Sequence, residues 1–160
     1  MEKNVIFTAS FTRPNNTTTY AAEDAVNDGA NRLSFSPIDG ISLNSGLSIL
    51  VKTVRVVTDS TTTTNASFRL MLTDKTQTAI ADNSPQTLLY ANKDKRVGYA
   101  DLTLSTGGSG SDCAEGFVAG VDIVVKTQEA TFTGDLIAKA AYAPAANQNF
   151  YIELGCIILE

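Results

Sequence analysis

Hydrophobic and polar residues alternate along most of the chain. In the first run, Val5, Phe7 and Ala9 share one phase, and Thr8 and Ser10 lie in the other. Because successive side chains of a strand point to opposite faces, such a run predicts a half-buried antiparallel strand. The same period of two occurs in the stretches 67–73, 117–126, 131–142 and 150–158, and weaker strands are predicted for 33–38 and 97–104.

In two runs the phase needs separate description, because it decides which residues are expected to face the core. In 46–58, Ile49 and Val51 are in the odd phase, whereas Val54 and Val56 are in the even phase. A phase change inside one run predicts a β-bulge or a strand that bends from one sheet to the other. In 117–126 the expected inward phase consists of Phe117, Val121, Ile123 and Val125.

The segments between these runs are rich in turn residues, and helical signals are few. The separators are 61–65, 82–85, 107–111 and 143–147. Residues 20–28 are expected to form two helical turns, and 86–92 one short turn. About eight short strands without an internal repeat predict an all-β fold, an antiparallel β-sandwich of the jelly-roll type. Residues 1–20 are expected to form a strand and an extended strap, in the same domain as the sandwich of 21–160.

The strap, residues 12–19, is polar and extended. Pro14 keeps the preceding residue out of the helical region, and a run of threonine and asparagine favours extended backbone. One interpretation is a disordered arm, and the other is an arm that lies on a neighbouring subunit and becomes ordered on contact. On the second interpretation the partner-binding residues are Arg13, Pro14, Thr17, Thr18 and Thr19.

Composition narrows the possible functions. The 160 residues can bury one sizeable core, and 20 of them are threonine. The net charge of −5 argues against a nucleic-acid partner, and the absence of histidine excludes histidine-based triads and histidine metal ligands. No apolar run approaches the roughly 20 residues of a membrane span, and the N-terminus lacks the features of a signal peptide. We therefore expect Cys113 and Cys156 to be free thiols in a reducing compartment.

Candidate chemical motifs are weak. The glycines of 107–110 are not followed by the lysine and helix of a phosphate loop, and 24–29 lacks ligands that a calcium loop needs. Asp122 and Asp135 lie on polar faces of predicted strands, where solvated carboxylates are usual. No catalytic residue, cofactor or metal ligand is predicted.

Several segments resemble a family of small structural proteins of tailed bacteriophages, encoded beside the major capsid protein. The segments are Phe68-Arg69-Leu70-Met71-Leu72, 78–85, 93–99 and 142–146, together with 11–14, Tyr20 and 24–26. The resemblance implies a virion component, a capsid decoration (cement) protein that binds the major capsid protein outside the phage head. It also implies assembly in the host cytoplasm and names no catalytic residue. The alternative is a tail or fibre-base module that binds a host receptor or glycan through Tyr90, Tyr99 or Tyr142.

Three-fold positions on a shell favour a homotrimer, which would bury apolar residues of an outer face near its axis. The candidates, which lie outside the clearest inward phases, are Met71, Tyr99, Tyr151, Ile157 and Leu159. The competing interpretation is that these side chains cover a second core layer or a loop. The predicted partners are the major capsid protein and further copies of the chain, with neither nucleic acid nor membrane.

Overall fold

A computed structural model describes residues 2–38, 40–41, 44–75, 77–108, 110–127 and 131–159. In these residues the chain forms ten strands and two single turns of 3₁₀-helix, at Thr61–Thr63 and Tyr90–Asn92. The strands are β1 (Lys3–Thr12), β2 (Ala25–Val26), β3 (Leu33–Pro37), β4 (Ser48–Thr58), β5 (Ser67–Thr73), β6 (Arg96–Thr103), β7 (Ser105–Thr106), β8 (Ala114–Lys126), β9 (Phe132–Ala138) and β10 (Asn149–Leu159).

The eight longer strands form two antiparallel sheets of four. Sheet I has the order β1-β10-β4-β8, and sheet II has the order β3-β9-β5-β6. The pairs are nested along the chain, β1 with β10, β3 with β9, β4 with β8 and β5 with β6. This is one long hairpin folded over itself, with alternate pairs in opposite sheets. The predicted all-β jelly roll of about eight strands is confirmed.

Two short strands and one corner complete the sandwich. Strand β2 pairs with β9 beside β3, and β7 pairs with the start of β8. Residues 33–35 of β3 pair with β9, whereas Ser36 and Pro37 pair with β1. Strand β3 therefore passes from sheet II to sheet I, which joins the two layers at one side.

Aromatic rings fill the space between the sheets. The ring centroids of Phe7 and Phe132 are 5.0 Å apart, and Phe35 stacks on Phe132 at 5.3 Å. At the other end of the core, the Phe68 ring meets the edge of Phe150 at 5.7 Å. Each such ring is nearly inaccessible to solvent, and burying a side chain of this size contributes about 1.5–3 kcal/mol. The phase that Val5, Phe7 and Ala9 share faces the core, as predicted for β1.

A bulge lies where the phase changes in β4. Val51 pairs with Cys156 and Thr53 with Gly155, so that Lys52 is left without a partner on β10. On the other side the same two β4 residues pair with Ile123 and Ala119 of β8, which leaves 120–122 as a second bulge. The Lys52 ammonium donates to the Asp122 carboxylate across the paired bulges. The predicted bulge in 46–58 is confirmed, and it keeps Val51 and Val54 both in the core.

The bulge in β8 corrects the phase predicted for that strand. Gly120 and Asp122 have positive φ angles of 70° and 52°, and the side-chain phase changes between them. Ile123 and Val125 point into the core as expected, but Phe117 is 64% exposed on the outer face. Gly116 takes the inward position beside it.

The helix expected at 20–28 is wrong. Glu23 has a φ of 71°, and the Asp24 carboxylate accepts a hydrogen bond from the Ala21 amide, which closes a turn instead. Residues 25 and 26 then pair with β9 as strand β2. Sheet pairing decides the local structure here, because the edge of β9 beyond β3 would otherwise have no strand beside it. The short turn expected within 86–92 is present at Tyr90–Asn92.

The strap lies on its own chain. The Arg13 amide donates to the Gln148 carbonyl at 2.9 Å, and the Tyr20 amide donates to the Tyr142 carbonyl at 3.0 Å. The Arg13 residue is 1% exposed, and its guanidinium contacts the Tyr20 hydroxyl, the Asp82 carboxylate at 3.3 Å and the Ala145 carbonyl at 3.1 Å. Asp82 also accepts from the Tyr20 hydroxyl and from the Asn27 amide at 3.0 Å. We call Arg13, Tyr20 and Asp82 the strap cluster.

The free edges of the two sheets face each other. A methyl group added at Gly116 of β8 would lie 2.7 Å from the Thr103 carbonyl and 2.7 Å from the Leu102 side chain of β6. We therefore expect Gly116→Ala to lower the free energy of unfolding by about 1–3 kcal/mol, the usual cost of overpacking. Urea denaturation measures it, and Gly107→Ala is the control, because only the Ser111 hydroxyl, at 3.2 Å, is near. Equal stability of the two variants would contradict this close approach.

Removing Asp82 should destabilise the fold strongly. Asp82→Ala leaves the buried Arg13 guanidinium without its counter-ion, and breaking a buried pair in this way costs about 3–5 kcal/mol. The matched control is Asp94→Ala, which breaks an exposed pair with Lys75 and should leave stability close to that of the wild type. Denaturant midpoints measure both. If the two variants are equally stable, the strap cluster does not hold the strap in place.

Candidate interaction surfaces

The outer face of sheet I carries a row of apolar side chains near the bulge. Ile157 of β10 pairs with Asn4 on one side and with Leu50 on the other, and Leu50 pairs in turn with Val124. Ile6 lies one row away, opposite Gly155. Val124 is 47% exposed, and the other three are half-buried. We call Ile6, Leu50, Val124 and Ile157 the bulge patch.

Two ion pairs lie on this face. The Arg55 guanidinium donates to the Glu115 carboxylate at 2.7 Å across β4 and β8, and the Lys52 and Asp122 pair lies beside the patch. Hydrogen bonding to Glu115 raises the pKa of Arg55 above its ordinary value, so the pair stays charged. Exposed pairs add little stability, and each of these pairs is neutral overall.

An open groove lies at the opposite end of sheet I. It measures about 570 Å³ and lies where the ends of β1, β4 and β10 meet residues 112–113. The rings of Phe11 and Phe150 stack at 5.1 Å, and Val57 and Tyr151 contribute further apolar surface. Asp59 and Asp112 are both exposed, and no lysine or arginine of the described residues lines the groove. We call this site the acidic groove.

The connection from β5 to β6 reaches from one edge of sheet II to the other. The Gln86 amide donates to the Glu23 carbonyl beside β2, and the Lys95 carbonyl accepts from the Asp74 amide just after β5. Strands β9 and β5 lie between β2 and β6 in the sheet order. Met71 and Ile137 point outward from the sheet and are nevertheless buried.

The predicted trimer-face residues do not form one surface. Tyr151, Ile157 and Leu159 lie on the outer phase of β10 in sheet I, whereas Met71 and Tyr99 are paired on β5 and β6 in sheet II. Met71 is 7% exposed, as the competing interpretation of a covered second layer expects. Tyr99 is exposed, with the Arg69 guanidinium 3.7 Å above its ring. The two groups face opposite sides of the sandwich.

The strap residues differ in exposure. Arg13 is enclosed in the strap cluster, so the structure gives its guanidinium an internal role in place of the partner contact expected from sequence. Pro14 is half-buried, and Thr17, Thr18 and Thr19 are exposed. Their role in partner binding stays a prediction.

Several exposed residues were missed by the sequence pattern. Leu88 and Leu89 are 56% and 52% exposed, and Phe117 was placed in the wrong phase. Gly120 inside a strand-like run was the signal for the shift of Phe117, because an isolated glycine there often marks a bulge. Of the tyrosines considered for a glycan site, Tyr90 and Tyr99 are exposed, whereas Tyr142 is buried against Tyr20 and Phe68.

Within the described residues, no three histidine, cysteine, aspartate or glutamate side chains gather as metal ligands do. No helix in the same part of the chain is long and apolar enough to cross a membrane. Cys113 is half-buried. Cys156 of β10 points into the core and is buried.

Comparison with known proteins finds weak structural similarities. No family model matches the chain, and no curated protein matches it. The Cyanophage Pam1 capsid asymmetric unit is 14% identical, with a TM-score of 0.35, covering 99% of this chain and 85% of that one. The BFDV capsid protein from a decameric crystal structure is 8% identical, with a TM-score of 0.36, and both chains are covered fully at 100%.

The third similar structure is the CBM22-1–GH10 part of Clostridium thermocellum xylanase 10B, complexed with xylohexaose. It is 12% identical, with a TM-score of 0.34, covering 100% of this chain and 29% of that one. At these TM-scores the similarities assign neither function nor partner.

Stability should fall in alkaline solution. Burial raises the pKa of the Cys156 thiol from 9.0 to about 12, and burial likewise raises the pKa of the Tyr20 and Tyr142 hydroxyls above their ordinary value of 10.0. These groups stay neutral in the folded chain while the unfolded chain ionises. The free energy of unfolding should therefore be unaffected by them below about pH 9 and fall as the pH rises from there towards 12. Urea denaturation between pH 7 and 11 tests this prediction.

The variant Cys156→Val separates the thiol from the tyrosines. It should shift the onset of the alkaline fall upward, towards the range in which free tyrosine ionises, because only the hydroxyl groups then contribute. A free energy of unfolding that stays flat to pH 11 in the wild type would contradict the buried, neutral state of these three groups.

Proposed function

We propose that this chain is a virion structural protein, a capsid decoration (cement) protein. It binds the major capsid protein on the outside of a phage head and stabilises the shell. It does so as a homotrimer, and the particle is assembled in the host cytoplasm. The observation that carries the proposal is the outer face of sheet I, where the bulge patch lies on a four-stranded jelly-roll sheet. The resemblance of segments such as 68–72 and 78–85 to phage head proteins supports the same role.

A decoration protein needs a rigid platform more than a reactive centre. Sheet I supplies one, because β10 is paired along almost its whole length with β1 on one side and β4 on the other. Its side chains are thus held in fixed rows. Many symmetric copies on a shell gain avidity even when each contact is modest, so a small patch on each copy can be sufficient.

The chemistry of the face defines the partner surface. The Lys52–Asp122 pair next to the bulge patch is neutral overall, the exposed Lys126 lies two residues from Val124, and the patch itself is aliphatic. It is therefore suited to an apolar strip of the capsid protein. The net charge of −5 supports a protein partner over nucleic acid. The proposal includes no membrane contact, catalytic step or cofactor.

A charge placed in the bulge patch should abolish capsid binding. Val124→Asp would require an unpaired carboxylate to be desolvated in the contact, and we expect at least a tenfold loss of affinity, about 1.4 kcal/mol. Particles stripped of the protein are incubated with each variant, and bound copies per shell subunit are counted by quantitative mass spectrometry. Ser34→Asp, which adds the same charge to an exposed position of β3 on sheet II, is the control and should bind normally.

The same particles report on stabilisation. Those that carry the wild type or Ser34→Asp should retain their genome to a higher temperature than stripped particles or those incubated with Val124→Asp. Normal binding of Val124→Asp would exclude the bulge patch as the contact. Intact and stripped particles that lose their genome at the same temperature would contradict the stabilising role.

The second candidate is a tail or fibre-base module that binds a host receptor or glycan. It is favoured by the exposed rings of Tyr90 and Tyr99, each with a cationic side chain above it. A handful of copies per particle, together with a glycan-array signal that is lost in Tyr99→Ser, would support this function over decoration.

A further inference from the structure

We propose that copies of this chain associate head to tail, with the segment Leu88–Tyr90 of one copy inserted into the acidic groove of the next. This inference deepens the homotrimer of the proposed function by naming its two contact surfaces. It concerns only contacts between copies, so it can fail or succeed independently of capsid binding through the bulge patch.

The inserted segment is an unusual stretch of surface. Residues 87–91 are all exposed, and three of them in succession are large and apolar. Contiguous exposed apolar residues of this kind mark interaction sites more often than isolated ones do. The Lys93 ammonium lies 4.3 Å from the centre of the Tyr90 ring, so a cation accompanies the most exposed side chain.

The segment is held in shape by its own backbone. The Asn92 amide donates to the Leu89 carbonyl at 3.0 Å, and the Lys93 amide donates to the Tyr90 carbonyl at 3.1 Å. Four residues beyond the segment, the Asp94 carboxylate pairs with the Lys75 ammonium at 2.9 Å, close to the end of β5. A preorganised segment loses less conformational entropy on insertion than a flexible one.

The acidic groove offers matching chemistry. Its volume of about 570 Å³ lies within the range of clefts that enclose ligands, about 300–1,000 Å³. The half-buried side chains of Phe11 and Val57 and the exposed ring of Tyr151 provide apolar surface for Leu89 and Tyr90. The exposed carboxylates of Asp59 and Asp112 at its border can then face cations of the incoming segment.

Charge complementarity identifies a second copy as the occupant. Residues 93–96 contain three cations and one carboxylate, a net charge of +2, whereas the whole chain carries −5. The remainder therefore carries −7, so contact between these basic residues and an acidic surface of another copy is electrostatically favourable. The basic residues and the groove lie on different parts of the chain. A contact of this kind joins unlike surfaces, and it closes into a ring when the rotation permits.

The first test measures the oligomeric state of the full chain. Sedimentation velocity over a range of concentrations should show a concentration-dependent oligomer for the wild type, weakened at high salt. Tyr90→Ser should raise the dissociation constant at least tenfold. Tyr99→Ser is the matched control, because it removes another exposed tyrosine from the outer side of sheet II, and it should associate like the wild type.

The second test distinguishes head-to-tail from symmetric contacts. Asp112→Lys should likewise raise the dissociation constant at least tenfold, because its groove repels the basic residues 93–96. Tyr90→Ser keeps an intact groove and Asp112→Lys keeps an intact segment, so an equimolar mixture should form one-to-one dimers through a single intact contact. With a symmetric interface, the mixture would contain no more dimer than either variant alone.

Three results would overturn the inference. They are a wild type that stays monomeric at its highest soluble concentration, an oligomer that Tyr90→Ser leaves intact, and a mixture that forms no dimers. The variant Val124→Asp separates this inference from the proposed function, because it should lose capsid binding and keep the wild-type oligomeric state. Circular dichroism and denaturant midpoints confirm that each variant is folded.

Discussion

The buried guanidinium of Arg13 fixes the positions of three segments that are distant in sequence. It holds the strap against the turn that follows Tyr142, and through Asp82 it holds the middle of the long connection between β5 and β6. A charge without solvent needs a counter-ion and filled hydrogen-bond positions, and Asp82 and Tyr20 supply both. The exposed residues Leu88–Tyr90 therefore follow a point at which the connection is fixed to the body of the sandwich.

The topology follows from the sequence to a large extent. Period-two runs predicted the strands and their inward residues, and the phase change between Val51 and Val54 predicted the bulge. These features depend on burial of apolar side chains, which is a local property of each strand. The jelly-roll order adds only the nesting of the hairpin, so the fold class could be predicted without knowledge of any partner.

The surfaces could not be predicted in the same way. Phe117 has the pattern of a core residue and is exposed, because the bulge at Gly120 changes the phase of β8. Arg13 has the pattern of a surface residue and is buried, because its counter-ion Asp82 is 69 residues further along the chain. Periodicity cannot detect a pairing at that separation. The acidic groove likewise combines the ends of strands that are adjacent only in the folded sheet.

The close approach of β6 and β8 affects how the chain behaves when many copies are crowded together. A strand with an open edge can pair with another copy through its backbone and begin an aggregate. Here the two edge strands of the sandwich face each other, and Gly116 leaves so little space that the Thr103 carbonyl lies against it. An incoming strand would have to displace one of these edges. Crowded copies are thus restricted to meeting through their side chains, which can encode a specific and reversible geometry where a backbone edge cannot.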